Sequence, residues 1–229
     1  MACHNVSMHP DIRNGWILAL HHGVLELRAP GDASGQGLSV VGGHWNVPDG
    51  PASLRGQPLG RAIGSRARTA IDATAGLGMD AFVMAAMGLS VRAIERNDWV
   101  AALLTQAHAH ALADPTTHAI AQRLSVEVGD ARERLAVAAP VDVVLLDPMF
   151  PPKRKPSAKP PKAMQALAAV VGDDNDADEL LALAVRVAMD RVVVKRPRHA
   201  PHLADVKPDW SVEGKLLRFD MYRGGAPAG

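Results

Sequence analysis

The chain has 229 residues, 48% hydrophobic but only 3% aromatic, so one catalytic domain with a modest appendage and an Ala-, Val- and Leu-rich core is expected, and wholesale disorder is excluded. Its 25 Lys plus Arg are almost cancelled by 24 Asp plus Glu, which leaves charge clustering, not net charge, as the only electrostatic argument for a nucleic-acid partner. The single cysteine, Cys3, rules out an intramolecular disulfide and a cysteine zinc site, and no apolar run approaches the roughly 20 residues that span a bilayer.

The polar first residues, with His4 and His9, carry no secretory pattern, so a cytoplasmic protein without a membrane partner is expected. Trp16 to Leu20 and Val24 to Arg28 read as two short strands across a His21-His22-Gly23 turn, and Leu38 to Val41 as a third. From Gly42 to Gly60 the density of Gly and Pro predicts loop or linker. Residues 1–65 therefore read as a small β-rich lobe with its linker, and residues 66–229 as the main domain.

Beyond Thr69 short apolar runs alternate with helical stretches. Strands are predicted at Thr69 to Thr74, Ser90 to Ile94, Leu124 to Val128, Val141 to Leu146, Arg191 to Lys195 and Leu216 to Tyr222. Helices are predicted at Met79 to Met87, from an Asp98 cap to about Leu112, and at Asp178 to Met189. The almost unbroken apolar run at Val141 to Leu146 suits a parallel strand buried on both faces. The repeated alternation is that of a doubly wound α/β sheet.

Such a sheet places ligands at the carboxyl ends of its strands. The first strand of the main domain runs into Asp72-Ala73-Thr74-Ala75-Gly76-Leu77-Gly78 and then directly into a helix beginning Met79-Asp80. Gly76 and Gly78 permit close backbone approach to a ligand beside free N–H groups. The turn has no third glycine in dinucleotide spacing and no Lys-Ser/Thr pair, which disfavours a pyrophosphate. The amino-acid moiety of S-adenosylmethionine fits better. Glu95, 17 residues after Gly78 and followed by Arg96, can accept both ribose hydroxyls; Asp130, followed by Ala131, can meet an adenine amine.

The fourth strand ends in Asp147-Pro148-Met149-Phe150, which resembles the Asp/Asn-Pro-Pro-Phe/Tyr motif of methyltransferases acting on amino nitrogens conjugated to a ring. Such an amine is a poor nucleophile, and the Asp147 carboxylate with a nearby carbonyl can draw its nitrogen toward a tetrahedral shape during in-line attack. Pro148 fixes the backbone, and Phe150 can stack on a base turned out of its helix. Lys153, Arg154 and Lys155, with Lys159 and Lys162, follow at once. A second basic group, Lys195, Arg196 and Arg198, follows the fifth strand, and both groups are expected to contact RNA phosphates on the rim of the site. The histidines are scattered without metal spacing, so no metal is expected.

These residues, with Val192-Val193-Val194-Lys195-Arg196-Pro197 and Arg218-Phe219-Asp220-Met221-Tyr222, resemble in matching order the RsmJ family of bacterial small-subunit ribosomal RNA guanine-N2 methyltransferases, over about Ala70 to Tyr222. The resemblance implies a Rossmann-like class I S-adenosylmethionine-dependent fold with a small N-terminal β lobe. It implies methylation of a guanine near the 3′ end of 16S rRNA, as free RNA or in the small subunit, with cofactor contacts at Met79-Asp80, Glu95-Arg96, Asp130-Ala131 and Asp147. The chain departs from the family pattern at His44-Trp45-Asn46, at Met79 and at Phe150-Pro151-Pro152. An amino-methyltransferase acting on another RNA or on DNA, and a non-catalytic RNA-binding protein keeping the fold, are the alternatives. The absence of a separate target-recognition domain argues against DNA, and a pure binder needs neither Asp147 nor Glu95.

Overall fold

The apolar runs become the centre of a seven-stranded sheet. The computed structural model describes residues 12–13, 15–29, 45, 50–148, 171 and 177–225. Its main sheet comprises β4 (Thr69–Asp72), β5 (Ser90–Glu95), β6 (Leu124–Val128), β7 (Val141–Leu146), β8 (Ala188–Pro197), β9 (Trp210–Glu213) and β10 (Leu217–Arg223), in the order β6-β5-β4-β7-β8-β10-β9. The strands from β6 to β8 are parallel, and β10 and β9 add antiparallel at one edge. The chain runs outward from β4 to β5 and β6, then returns to β7 on the other side of β4. The sheet therefore has its switch point between β4 and β7, the place at which doubly wound folds bind their ligands.

Successive side chains of these strands enter opposite cores. Ala70, Val143, Leu145 and Val193 join one apolar cluster, while Ile71, Val144, Leu146, Val192 and Val194 join the other. The first core is closed by α3 (Met79–Ala86) and α4 (Asp98–Ala113), through Phe82, Met84, Leu103 and Leu104. The second is closed by α6 (Ala131–Ala136) and α7 (Ala177–Val187), through Leu135, Leu180, Leu181 and Ala184. Two-sided burial is why these strands read as continuous apolar runs.

The N-terminal sheet is β1 (Ile12–Arg13), β2 (Trp16–His21) and β3 (Val24–Arg28), all antiparallel. His22 and Gly23, at φ 49° and 79°, make the two-residue turn between β2 and β3. Leu18 and Leu27 pack into the first core, and the Leu25 N–H donates to Gln106 Oε1 in α4 at 2.8 Å. The strand expected at Leu38 to Val41 lies outside the described residues.

Several boundaries differ from expectation. The predicted loop Gly42 to Gly60 gives way from Gly50 to α1 (Gly50–Gly56) and α2 (Pro58–Ile63). Pro58 starts α2, where a missing N–H costs nothing, and Gly60 lets α2 approach the α1 backbone so closely that a Cβ would strike the Leu54 carbonyl. Asn97, not Asp98, caps α4, its Oδ1 accepting from the Trp99 and Val100 N–H groups. The helix expected to reach Met189 stops at Val187 because Ala188 already pairs with Val141. The short elements α5 (His118–Ala121), α6 and β9 had no periodic signal long enough to predict them. Among the described residues no helix is long and apolar enough to cross a membrane, and no group of His, Cys, Asp and Glu is placed to hold a metal ion.

Candidate active site

Asp72 ends β4 and Asp147 follows β7, so the switch point brings two carboxylates to neighbouring strand ends. The third is Asp80, in the first turn of α3. Lys195 of β8 lies among them, its Nζ 2.6 Å from Asp80 Oδ2 and 3.0 Å from Asp147 Oδ2. Asp72 is 2% exposed, and its Oδ1 accepts the Thr74 N–H at 3.3 Å. Burial, with the negative charge of Asp80 and then Asp147, pushes its carboxyl well above the usual range, favouring the neutral acid. Burial alone would lower the Lys195 pKa, but the Asp147 and Asp80 carboxylates outweigh it and push it up, so this lysine stays cationic. The Asp147 side chain is 37% exposed against 21% for Lys195 and Asp80, which makes it the most accessible of the three.

The glycine turn is built beside this cluster. Gly76 and Gly78 adopt φ 54° and 77°. A Cβ on Gly78 would run into Leu104 and Trp45, so glycine is required there by both conformation and space. The Glu95 carboxylate clamps the turn: Oε2 accepts the Gly76 N–H at 2.8 Å and Oε1 the Asn97 N–H at 2.7 Å. Each carboxylate oxygen can accept more than one hydrogen bond.

Trp45 buttresses the turn from behind. Its indole Nε1–H donates to the Leu77 carbonyl at 3.2 Å, and its ring stacks on Phe82 with centroids 4.8 Å apart. In the sequence Trp45 marks only a departure from the family pattern and has no expected part in the site. A tryptophan in a Gly- and Pro-rich segment of an aromatic-poor chain was the available signal.

Asp72, Ala73, Gly76, Gly78, Asp80, Glu95 and Asp147 thus meet at one end of the sheet, with Met79 43% exposed at the start of α3 and Pro148 buried beside Asp147. Arg96 is exposed just beyond Glu95. Asp130 caps α6 through the Arg132 N–H at 2.8 Å and pairs with the Arg132 guanidinium at 2.6 Å, which holds its carboxyl below the usual range. Ala131 is buried in the second core. Phe150, Lys153, Arg154 and Lys155 lie outside the described residues.

The second basic group does not form the solvent-exposed rim expected of it. Lys195 is turned into the acidic cluster, and Arg196, 4% exposed, donates from Nε to the Pro201 carbonyl at 3.0 Å. Alternation along β8 explains both: Lys195 shares the Val193 face toward α3, and Arg196 the Val194 face toward the second core. Only Arg198 stands at the surface, paired with Glu213 at 2.9 Å.

The donor set suits S-adenosylmethionine. The cluster carries more carboxylates than ammonium groups, which favours a sulfonium cation. The glycine turn exposes backbone at a helix start, and Glu95 stands at the end of the adjacent strand.

Residues 2–224 match the protein family described as "Putative SAM-dependent methyltransferase", SAM being S-adenosylmethionine. The ribosomal RNA small subunit methyltransferase J of Laribacter hongkongensis is 47% identical over 226 residues, covering 96% of this chain and 78% of that one. The protein of the same name from Thioalkalivibrio sulfidiphilus is 42% identical over 209 residues, covering 88% and 81%. Among solved structures, a SAM-dependent methyltransferase from Neisseria gonorrhoeae superposes with a TM-score of 0.72 at 34% identity, over 95% of this chain and 86% of that one.

Proposed function

The chain belongs to the RsmJ family of SAM-dependent methyltransferases, and from that premise we propose that it methylates the exocyclic N2 of a guanine near the 3′ end of 16S rRNA, as free RNA or within the small subunit. The observation that carries this reading is the partly exposed Asp147 carboxylate at the switch point, beside the glycine turn and opposite the Glu95 clamp.

SAM, when bound, supplies an electrophilic methyl group on a sulfonium. In this proposal Gly76, Gly78 and the start of α3 receive its amino-acid end, while Glu95 takes the ribose hydroxyls. Asp147 accepts an N–H of the guanine amine, turns the nitrogen lone pair toward the methyl group, and stabilises the positive charge that develops on nitrogen. As the N–C bond forms, the S–C bond breaks to leave a neutral thioether, and the surplus N–H proton then leaves by way of Asp147 to water. Pro148 holds the backbone leaving β7, and Phe150 stacks on the base. Lys153, Arg154 and Lys155 contact phosphates. Residues 66–229 carry this machinery, and residues 1–65 form the appended lobe.

The test is transfer of labelled methyl groups to unmodified 16S rRNA and to small subunits, with the product base mapped. Label on the N2 of one guanine is the expected result. Label on another base, or on DNA in preference to rRNA, overturns the assignment.

A further inference from the structure

A lysine serving RNA phosphates would point to solvent, and Lys195 does not. It leaves β8 on the face shared with Val193 and reaches two carboxylates on different elements, Asp80 at 2.6 Å and Asp147 at 3.0 Å. Asp80 sits in the helix that follows the glycine turn, and Asp147 at the end of the strand carrying the transfer motif. One ammonium therefore spans the cofactor side and the transfer side of the crevice. Asp72, from β4, stands buried in the field of both carboxylates.

Three carboxylates this close cannot all stay ionised without a counter-charge; at least one must take up a proton. Burial selects Asp72 for that proton as long as Lys195 neutralises its neighbours. Without the ammonium, Asp147 competes for the proton, and a protonated Asp147 is a poorer acceptor for an amine N–H. The same loss removes the ammonium contact that orients its side chain.

We propose that Lys195 is a positioning residue for methyl transfer: anchored on Asp80, its ammonium holds the Asp147 carboxylate in the orientation and charge state that the target amine requires. This rests on the methyl-transfer reading given above. Lys195 touches neither the methyl group nor the base, and it acts through Asp147.

The experiment compares Lys195→Met and Lys195→Arg with the unaltered chain, following methyl transfer to 16S rRNA as a function of pH together with rRNA affinity and the thermal midpoint. Lys195→Met is expected to lower kcat about 100-fold with rRNA affinity unchanged. It is also expected to move the acid limb of the kcat profile upward by about one pH unit, because Asp147 loses its cation while Asp72 and Asp80 remain. Lys195→Arg restores the charge and recovers much of kcat. Asp80→Asn, which removes the anchor and keeps the shape, gives a smaller drop in kcat and decides the matter should Lys195→Met fail to fold. An unchanged kcat in Lys195→Met or Asp80→Asn overturns the proposal. So does a loss of rRNA affinity with kcat and pH profile intact, which would make Lys195 a phosphate contact. If the unaltered chain transfers no methyl group to any RNA, it is the reaction assignment that fails.

Discussion

The Thr74 hydroxyl accepts the backbone N–H of Asp147 at 2.6 Å, so the turn leaving β4 is bonded directly to the residue that follows β7. The two strand ends that frame the crevice are thereby held in one geometry. Thr74→Val keeps the side-chain shape and leaves the Asp147 N–H without this acceptor. It is expected to cost about 1–3 kcal/mol of unfolding free energy and to lower kcat more than it weakens SAM binding. Thr74→Ser keeps the bond and most of both. Denaturant unfolding and steady-state kinetics on the pair check this.

Glu95 receives two backbone N–H groups, one on each oxygen. In Glu95→Gln one of those donors faces an amide NH2 instead of an acceptor. Charge-assisted bonds of this kind contribute about 1.5–3 kcal/mol, so SAM affinity should fall roughly 10- to 100-fold by titration calorimetry. Affinity within about twofold of the unaltered chain would remove Glu95 from the cofactor site.

Trp45 supports the glycine turn through its ring and its indole N–H. Trp45→Ala empties a buried site and is expected to cost about 3–5 kcal/mol, with weaker SAM binding as the turn loosens. Trp45→Phe keeps the stack on Phe82 and loses only the bond to the Leu77 carbonyl. Its stability should lie between the two, and its SAM affinity nearer the unaltered chain. Thermal unfolding with and without SAM separates the two effects.

Asp220, fully buried, pairs with Arg218 and accepts from Ser211, with His202 at 3.3 Å. Burial would raise its carboxyl, but the bonds from Arg218, Ser211 and His202 outweigh it and hold it below the usual range. A carboxyl depressed in the folded state stabilises above its unfolded pKa, about 4, and that share is lost as pH falls through the lower folded value. Asp220→Asn should therefore flatten the acid limb of the stability curve. It should also cost about 3–5 kcal/mol at neutral pH, because it strands the buried Arg218. Unfolding curves collected as a function of pH measure both.

The central strands were legible because burial on both faces writes them as short apolar runs bounded by turn residues. The order Asp72, Glu95, Asp130, Asp147 at their ends followed from the same periodicity. The direction of Lys195 and Arg196 was not legible. At the end of a strand buried on both faces, basic residues look like a solvent rim, and only pairing with β7 and β10 reveals which core each one enters. Asp130 illustrates a second limit, since the side chain read as a ligand contact is also the cap of a helix too short to announce itself. The helices α1 and α2 were hidden by Pro58 and Gly60, residues that elsewhere end helices and here start one and let two of them touch.

The alternation along β8 has a consequence for how this chain can change. One strand delivers an ammonium to the acidic crevice and, at the next position, a guanidinium to the opposite core. A single-residue deletion before Lys195 would set the Arg196 guanidinium among Asp80 and Asp147 and Pro197 beneath the Pro201 carbonyl, while an insertion would put Val194 in the crevice and leave the Pro201 carbonyl to Lys195. The seven-residue ladder from Arg191↔Arg223 to Pro197↔Leu217 holds β8 in frame. The edge hairpin of β9 and β10, through the Phe219↔Lys195 and Arg218↔Arg196 pairs, thus acts as the ruler that decides which side chain the crevice receives.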